Sequence, residues 1–169
     1  RDVALRTNFE DIDIPLVLNG KDAIGQPREL IDSMGASATI LELCDVAKPS
    51  SFKGRSIGEG GRALVISESA GGGNADIENR DLYFTVTTAR HRMMTVLRGR
   101  QLEIFGFYDR DSDPDETVNR MADADVRPTI QEMVNTLLAE RDELLKIRGI
   151  EQSELSDNWT LMSPETVEE

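Results

Sequence analysis

Apolar and polar residues alternate most cleanly from Leu82 to Thr88, where Leu82, Phe84 and Val86 face one way and Tyr83, Thr85 and Thr87 the other. That period of two predicts a β-strand. Leu64-Val65-Ile66 leading to Glu68, Arg92 to Leu97, and Gln101 to Tyr108 read as three more strands, separated by the Gly71, Gly72, Gly73 loop, a short break and the Arg98-Gly99-Arg100 turn. Four consecutive strands with short connections predict an antiparallel sheet. The last strand does not alternate. Leu102, Ile104 and Tyr108 fall on one side and Phe105 and Phe107 on the other, so it is expected to be covered on both faces. It runs into an acidic turn, where Asp109, Asp111, Asp113, Pro114 and Asp115 combine charge repulsion, a missing backbone donor and turn-forming side chains.

After the turn, Ile130, Met133, Val134, Leu137, Leu138, Leu144 and Leu145 recur at helical spacing between Arg127-Pro128 and Gly149. They predict a long helix whose apolar face lies on the sheet. Upstream, Ile12 to Gly20 suits a buried strand entering a turn. Ala36 to Val46, with Ser33 or Ser37 as cap, predicts a short, mostly buried helix in which Cys44 is a small hydrophobe. Gly58 to Gly61 reads as a linker. The expected organisation is a strand and helix over residues 1–57, an antiparallel sheet with its long helix over 58–149, and an acidic tail over 150–169 whose only obvious anchor is Trp159. The fold class is α+β.

Charge narrows the partners. Thirty-two acidic against 19 basic residues give a formal net charge of -13, which disfavours a nucleic-acid backbone or an anionic membrane. The basic residues are 15 Arg and 4 Lys. An acidic, arginine-rich composition suits a saline, halophilic setting, where salt screens self-repulsion. No apolar run approaches the roughly 18 residues that a membrane-spanning helix needs. With Cys44 as the single cysteine, neither an internal disulfide nor a cysteine-rich metal site is available.

The order Phe107-Tyr108-Asp109, Asp113-Pro114, Glu116, Asn119, followed by a helix, closely resembles the (L/F)-Y-D-L-x-x-D-P-x-E-x-x-N signature near the C-terminal end of type I sulfatases, arylsulfatase-like members of the alkaline phosphatase superfamily. Ile14-Pro15-Leu16-Val17-Leu18-Asn19-Gly20 resembles their V-P-L-I-I-x-G-P-G strand, with Asp13 where arginine is usual. Thr39, Leu41, Leu43, Val46, Pro49, Gly54 and Ser56 fall in similar places to the run V-D-L-A-P-T-L-L-D-L-A-G-I-x-x-P-x-x-x-G-x-S-L, while Gly35, Ala38 and Asp45 replace its Asp, Pro and Gly. The resemblance covers most of residues 12 to 147. It implies a piece of an α/β sulfatase-like fold, residues 1–57 being a remnant of the large domain.

What the resemblance implies about chemistry lies mostly elsewhere. Sulfatases hydrolyse sulfate esters with a formylglycine made from the Cys or Ser of C/S-x-P-x-R, beside a divalent cation, calcium or magnesium, held by carboxylates. Those elements precede the matched region, so no cofactor and no catalytic or metal-binding residue is assigned to this chain. Ser112-Asp113-Pro114-Asp115-Glu116 has Ser and Pro in register but Glu in place of Arg, which would repel sulfate. Asp109, Asp111 and Asp113 mimic the start of an EF-hand loop, yet Pro114 and Arg120 stand where its Gly and bidentate Glu belong. Arg90, His91 and Arg92 form the one compact cationic group, and they resemble a strand start that lies near the sulfatase active-site mouth, a weak candidate for substrate contact. The glycine loop lacks the lysine of a P-loop.

Two functions are therefore expected. One is the C-terminal portion of a sulfatase-like hydrolase, inert alone, whose partner is an N-terminal catalytic domain or a second copy associating through the sheet. The other is a non-catalytic acidic structural or interaction domain, or part of a related phosphodiesterase or phosphonate hydrolase.

Overall fold

The computed structural model describes residues 30–49, 52–70, 81–147 and 159–161. The strand expected over Ile12 to Gly20, the Gly71 to Gly73 loop and the Gly149 cap lie outside them. The chain divides into two compact units, Asp13–Val65 and Ile66–Glu169 together with Arg1–Ile12.

In the first unit the central element is helix α1, Ser33–Leu43. Asp32 rather than a serine caps it: one carboxylate oxygen accepts the Gly35 N–H, and the other pairs with Arg62 Nε at 2.9 Å. Leu30 and Arg62 exchange backbone hydrogen bonds of 3.2 and 2.8 Å, closing the unit. The loop after α1 approaches it so closely that a Cβ on Gly54 would stand 2.2 Å from the Met34 carbonyl oxygen. Thr39 fastens the same contact: its buried hydroxyl donates to the Gly35 carbonyl at 2.8 Å and accepts the Ile57 N–H at 3.0 Å. The expected linker is an ordered turn. The Glu59 carboxylate accepts the Ser56 N–H and pairs with Lys48 at 2.8 Å, and Gly60 and Gly61 take positive φ.

The burial of α1 differs from expectation. Only Gly35, Ala38 and Thr39 are buried in it, whereas Met34, Ile40, Leu43 and Val46 are 46–59% exposed. Cys44 is exposed as well and forms the C-cap, so it is not a core residue. Packing on this unit uses the small residues of the helix, and the large ones face away from it.

From Ile66 on the second unit carries a sheet of strands β1, Leu64–Ala70, whose first two residues fall in the first unit; β2, Leu82–Thr88; β3, His91–Arg98; β4, Gln101–Asp109; and β5, Trp159–Leu161, in that spatial order. β2, β3 and β4 pair antiparallel through short turns, as the sequence predicts. The fifth strand is an addition: Trp159–Leu161 runs parallel to β4, with Leu102 opposite Trp159 and Ile104 opposite Leu161. Helix α2, Arg127–Ile147, follows a 3₁₀ turn over Ala124–Val126 and buries Ile130, Met133, Val134 and Leu137. Full burial of each such side chain contributes about 1.5–3 kcal/mol.

The non-alternating pattern of β4 has a different cause from the one expected. Met94 pairs with Gly106 but Thr95 with Ile104, which leaves Phe105 as the extra residue of a β-bulge. The bulge resets the phase. Leu102, Ile104, Phe107 and Asp109 now share a face with Leu97, Thr95, Met93 and His91, and Ile104, Phe107 and Met93 are fully buried. Phe107 is thus a core partner of Ile104 instead of its opposite, while Phe105 and Tyr108 are half-buried. The other face is also covered, since Thr85, Thr87, Arg92, Met94 and Val96 are buried there.

Candidate functional site

The chemistry-bearing residues gather where β4 ends. Asp109, the last residue of β4, is 3% exposed and receives the Arg90 guanidinium at 2.9 Å, with Arg120 at 3.7 Å. Its Oδ1 also accepts the Asp111 N–H at 3.2 Å. The Arg90 guanidinium above all, with burial opposing it, holds the Asp109 carboxyl down to about 2, so it is charged at every physiological pH. The backbone then turns twice. The Asp109 carbonyl accepts the Asp113 N–H at 2.9 Å, and the Asp113 carbonyl accepts the Glu116 N–H at 3.1 Å with Pro114 at the second position, where its fixed φ suits a turn.

Asp113, Glu116, Asn119 and Arg120 each have their own task. The Asp113 carboxylate accepts the Val118 N–H at 2.8 Å and the Thr117 hydroxyl at 2.9 Å, and those donors hold its pKa below the usual carboxylate range. Glu116 adopts φ 54°, a left-handed conformation that disfavours a side chain by about 1–2 kcal/mol. That conformation carries its carboxylate, 4% exposed, to 2.7 Å from Nη1 of Arg92, which is fully buried. Arg92 also donates from Nε to the Thr87 hydroxyl at 3.2 Å. Asn119 serves the bulge: its Oδ1 accepts the Phe107 and Met121 N–H groups, each at 3.1 Å, and its Nδ2 donates to the Phe105 carbonyl at 2.9 Å. The Arg120 N–H donates to the Phe107 carbonyl at 2.8 Å. A side chain here stands in for a neighbouring strand. Opposite, the Tyr108 ring lies against Gly106, where a Cβ would meet its Cε2 at 3.0 Å.

The three cationic candidates do not converge. Arg90 is exposed and bound to Asp109, with Asp111 at 3.7 Å. His91 stacks on Phe107 with ring centroids 5.3 Å apart, and burial lowers its pKa despite the nearby Asp109 charge. Arg92 lies on the opposite face of β3, joined to Glu116. Arg110 and Arg120 complete the group; Arg120 also holds Asp123 and Asp125 at 3.0 and 2.9 Å. Arg90 and Arg92 look alike in the sequence, but Arg90 precedes β3 and is exposed, whereas Arg92 lies within β3 and is fully buried.

Formylglycine and a divalent cation find no fit in this segment. Ser112 is exposed and donates to the Asp109 carbonyl at 3.4 Å, while Glu116, in the position of the required arginine, is buried with Arg92. The Asp109 and Asp113 carboxylates face guanidinium groups and backbone donors instead of a common point. Among the described residues no three His, Cys, Asp or Glu side chains are grouped to hold a metal ion. What the arrangement can do is fix the end of β4 and the path into α2.

No family model matches the chain, and no curated protein does. Among solved structures it is similar to a Bacteroides thetaiotaomicron protein assigned as a sulfatase, at 21% identity and TM-score 0.49, over 68% of this chain and 25% of that one. It is also similar to a 2-O GAG sulfatase, at 20% identity and TM-score 0.49, over 72% and 27%. A third similar protein, solved in complex with its substrate D-glucosamine-2-N,6-O-disulfate, is 18% identical with TM-score 0.46, over 66% and 24%. The chain spans about a quarter of the length of each of these structures.

Proposed function

We propose that this chain is the C-terminal part of a sulfatase-like hydrolase, shaping and supporting an active site whose nucleophile and metal ligands lie outside it. The observation that carries the reading is the acidic segment. Tyr108, Asp109, Asp113, Pro114, Glu116 and Asn119, which spell the sulfatase signature, each perform a separate structural task in one turn. Their order is thereby accounted for as a folding unit, and chance spacing would not assemble it.

In the parent enzyme, formylglycine and a calcium or magnesium ion would supply the chemistry of ester cleavage, and no residue of this chain is assigned to either group. Its partner is the N-terminal catalytic domain. The exposed side chains of Met34, Ile40, Leu43 and Val46 give that domain an apolar surface to cover. The test is the reading frame that contains this chain: the reading requires C/S-x-P-x-R and an acidic metal site within it, and a frame without them removes it. A panel of aryl sulfate, phosphodiester and phosphonate substrates on the complete product then identifies the bond cleaved.

A further inference from the structure

Two different devices cover the outer edge of β4. The half at Phe105–Phe107 is sealed by close sequence neighbours, the Asn119 side chain and the Arg120 N–H. The half at Leu102, Glu103 and Ile104 is paired with β5, which has three residues and arrives from beyond α2. The first device is local and fixed. The second is a short parallel strand, the pairing that is weaker per residue, and ordering a tail for so few hydrogen bonds recovers little beyond its entropy. An edge with free N–H and C=O groups accepts any extended segment of suitable pattern. Here the pattern is apolar, threonine, apolar, because Trp159, Thr160 and Leu161 stand opposite Leu102, Glu103 and Ile104.

We propose that the β4 edge at Leu102–Ile104 is a strand-acceptor site whose second occupant is the Trp159–Leu161 segment of another copy of this chain. Eleven residues, 148–158, separate α2 from β5, a contour of at most roughly 40 Å. Exchange leaves the sheet unchanged, since the same backbone pairs form between molecules. The tethered strand competes at an effective concentration on the order of millimolar, so exchange belongs to concentrated protein.

The proposal is tested with a fluorescent peptide of residues 152–164 and the full chain. Thr160→Pro places a proline, disfavoured within paired strands, at the centre of the resident strand and weakens its hold on the edge. The peptide is expected to bind the T160P chain at least about tenfold more tightly than the wild type, which must first release its own strand. Equal affinity for both, or no binding to a T160P chain that keeps its wild-type circular dichroism, overturns the proposal. Sedimentation of the wild-type chain is the arm that does not depend on the variant folding. A dimer that forms with rising concentration and dissociates with excess unlabelled peptide supports exchange. A monomer throughout, or a dimer that the peptide leaves intact, overturns it, the latter assigning association to the α1 face.

Discussion

The acidic segment from Asp109 to Met121 and the helix α1 solve opposite problems. The first is crowded with charge, yet Asp109, Asp113, Glu116 and Asn119 find partners within the same unit. The second is rich in large apolar side chains, yet buries only Gly35, Ala38 and Thr39. A segment that satisfies itself is part of a folding unit. One that leaves Met34, Ile40, Leu43 and Val46 in solvent offers an apolar surface, which the proposed function assigns to a catalytic domain. Sequence polarity alone would have ranked the two the other way, with the charged stretch outside and the apolar helix inside.

The contrast breaks first at Arg92. If the segment is a clamp, Arg92→Ala takes from the buried Glu116 carboxylate its shorter ion pair, leaving Arg110 at 3.8 Å, and costs about 3–5 kcal/mol in urea unfolding. Replacing both Arg92 and Glu116 with methionine should recover most of that loss, since a buried ion pair adds little over good apolar packing. Asn119→Ala is expected to cost about 1–3 kcal/mol, because two N–H groups and a carbonyl at the bulge lose their partner. Asn119→Asp keeps the two acceptor contacts and should fall between the variant and the wild type.

Acid sharpens the same point. The Asp109 carboxyl titrates at about 2 when folded and near its ordinary value when unfolded, so its contribution is full above pH 4 and is lost as pH falls toward 2. Asp109→Asn should flatten stability across that window relative to wild type, measured by chemical unfolding at each pH. Salt acts more diffusely: with a net charge of -13, the melting temperature should rise between low and molar salt as repulsion is screened, and a flat or falling curve removes the halophilic reading. The smallest effect is expected on the other side of the comparison. Ile40→Ser and Leu43→Ser should each change the stability of this chain by no more than about 0.5 kcal/mol, since both side chains are already exposed.

Much of this was legible from residue pattern, and the failures have physical causes. β2 was readable to the residue because Leu82 to Thr88 alternates without interruption. β4 was misread because alternation assumes an unbroken ladder, and one extra residue reverses it. The signal was present in Gly106, an isolated glycine inside a strand. Helix α1 was foreseen, but it runs over Ser33–Leu43, three residues earlier at each end than expected, with a different cap and a different environment. Asp32 satisfies both Gly35 and Arg62, a long-range demand that serine could not meet, and apolar spacing says which residues could be buried without saying that a cover is present in the same chain. The β5 pairing had no local signature beyond Trp159 in an acidic tail. Of the candidate site, the compact Arg90, His91, Arg92 group was visible, but the position of Arg90 just before the strand, and the pairing of Arg92 with a residue beyond two turns, emerge only in three dimensions.

We propose that this chain supports a sulfatase-like active site without containing its chemistry. Hydrolysis of a chromogenic aryl sulfate tests it most directly, measured side by side for the purified chain and for the product of the complete reading frame that contains it, with calcium or magnesium present. The account predicts turnover by the complete product and none above the buffer blank by the chain alone. Activity that copurifies with the chain, or a complete product inert toward every sulfate, phosphodiester and phosphonate offered, would contradict it.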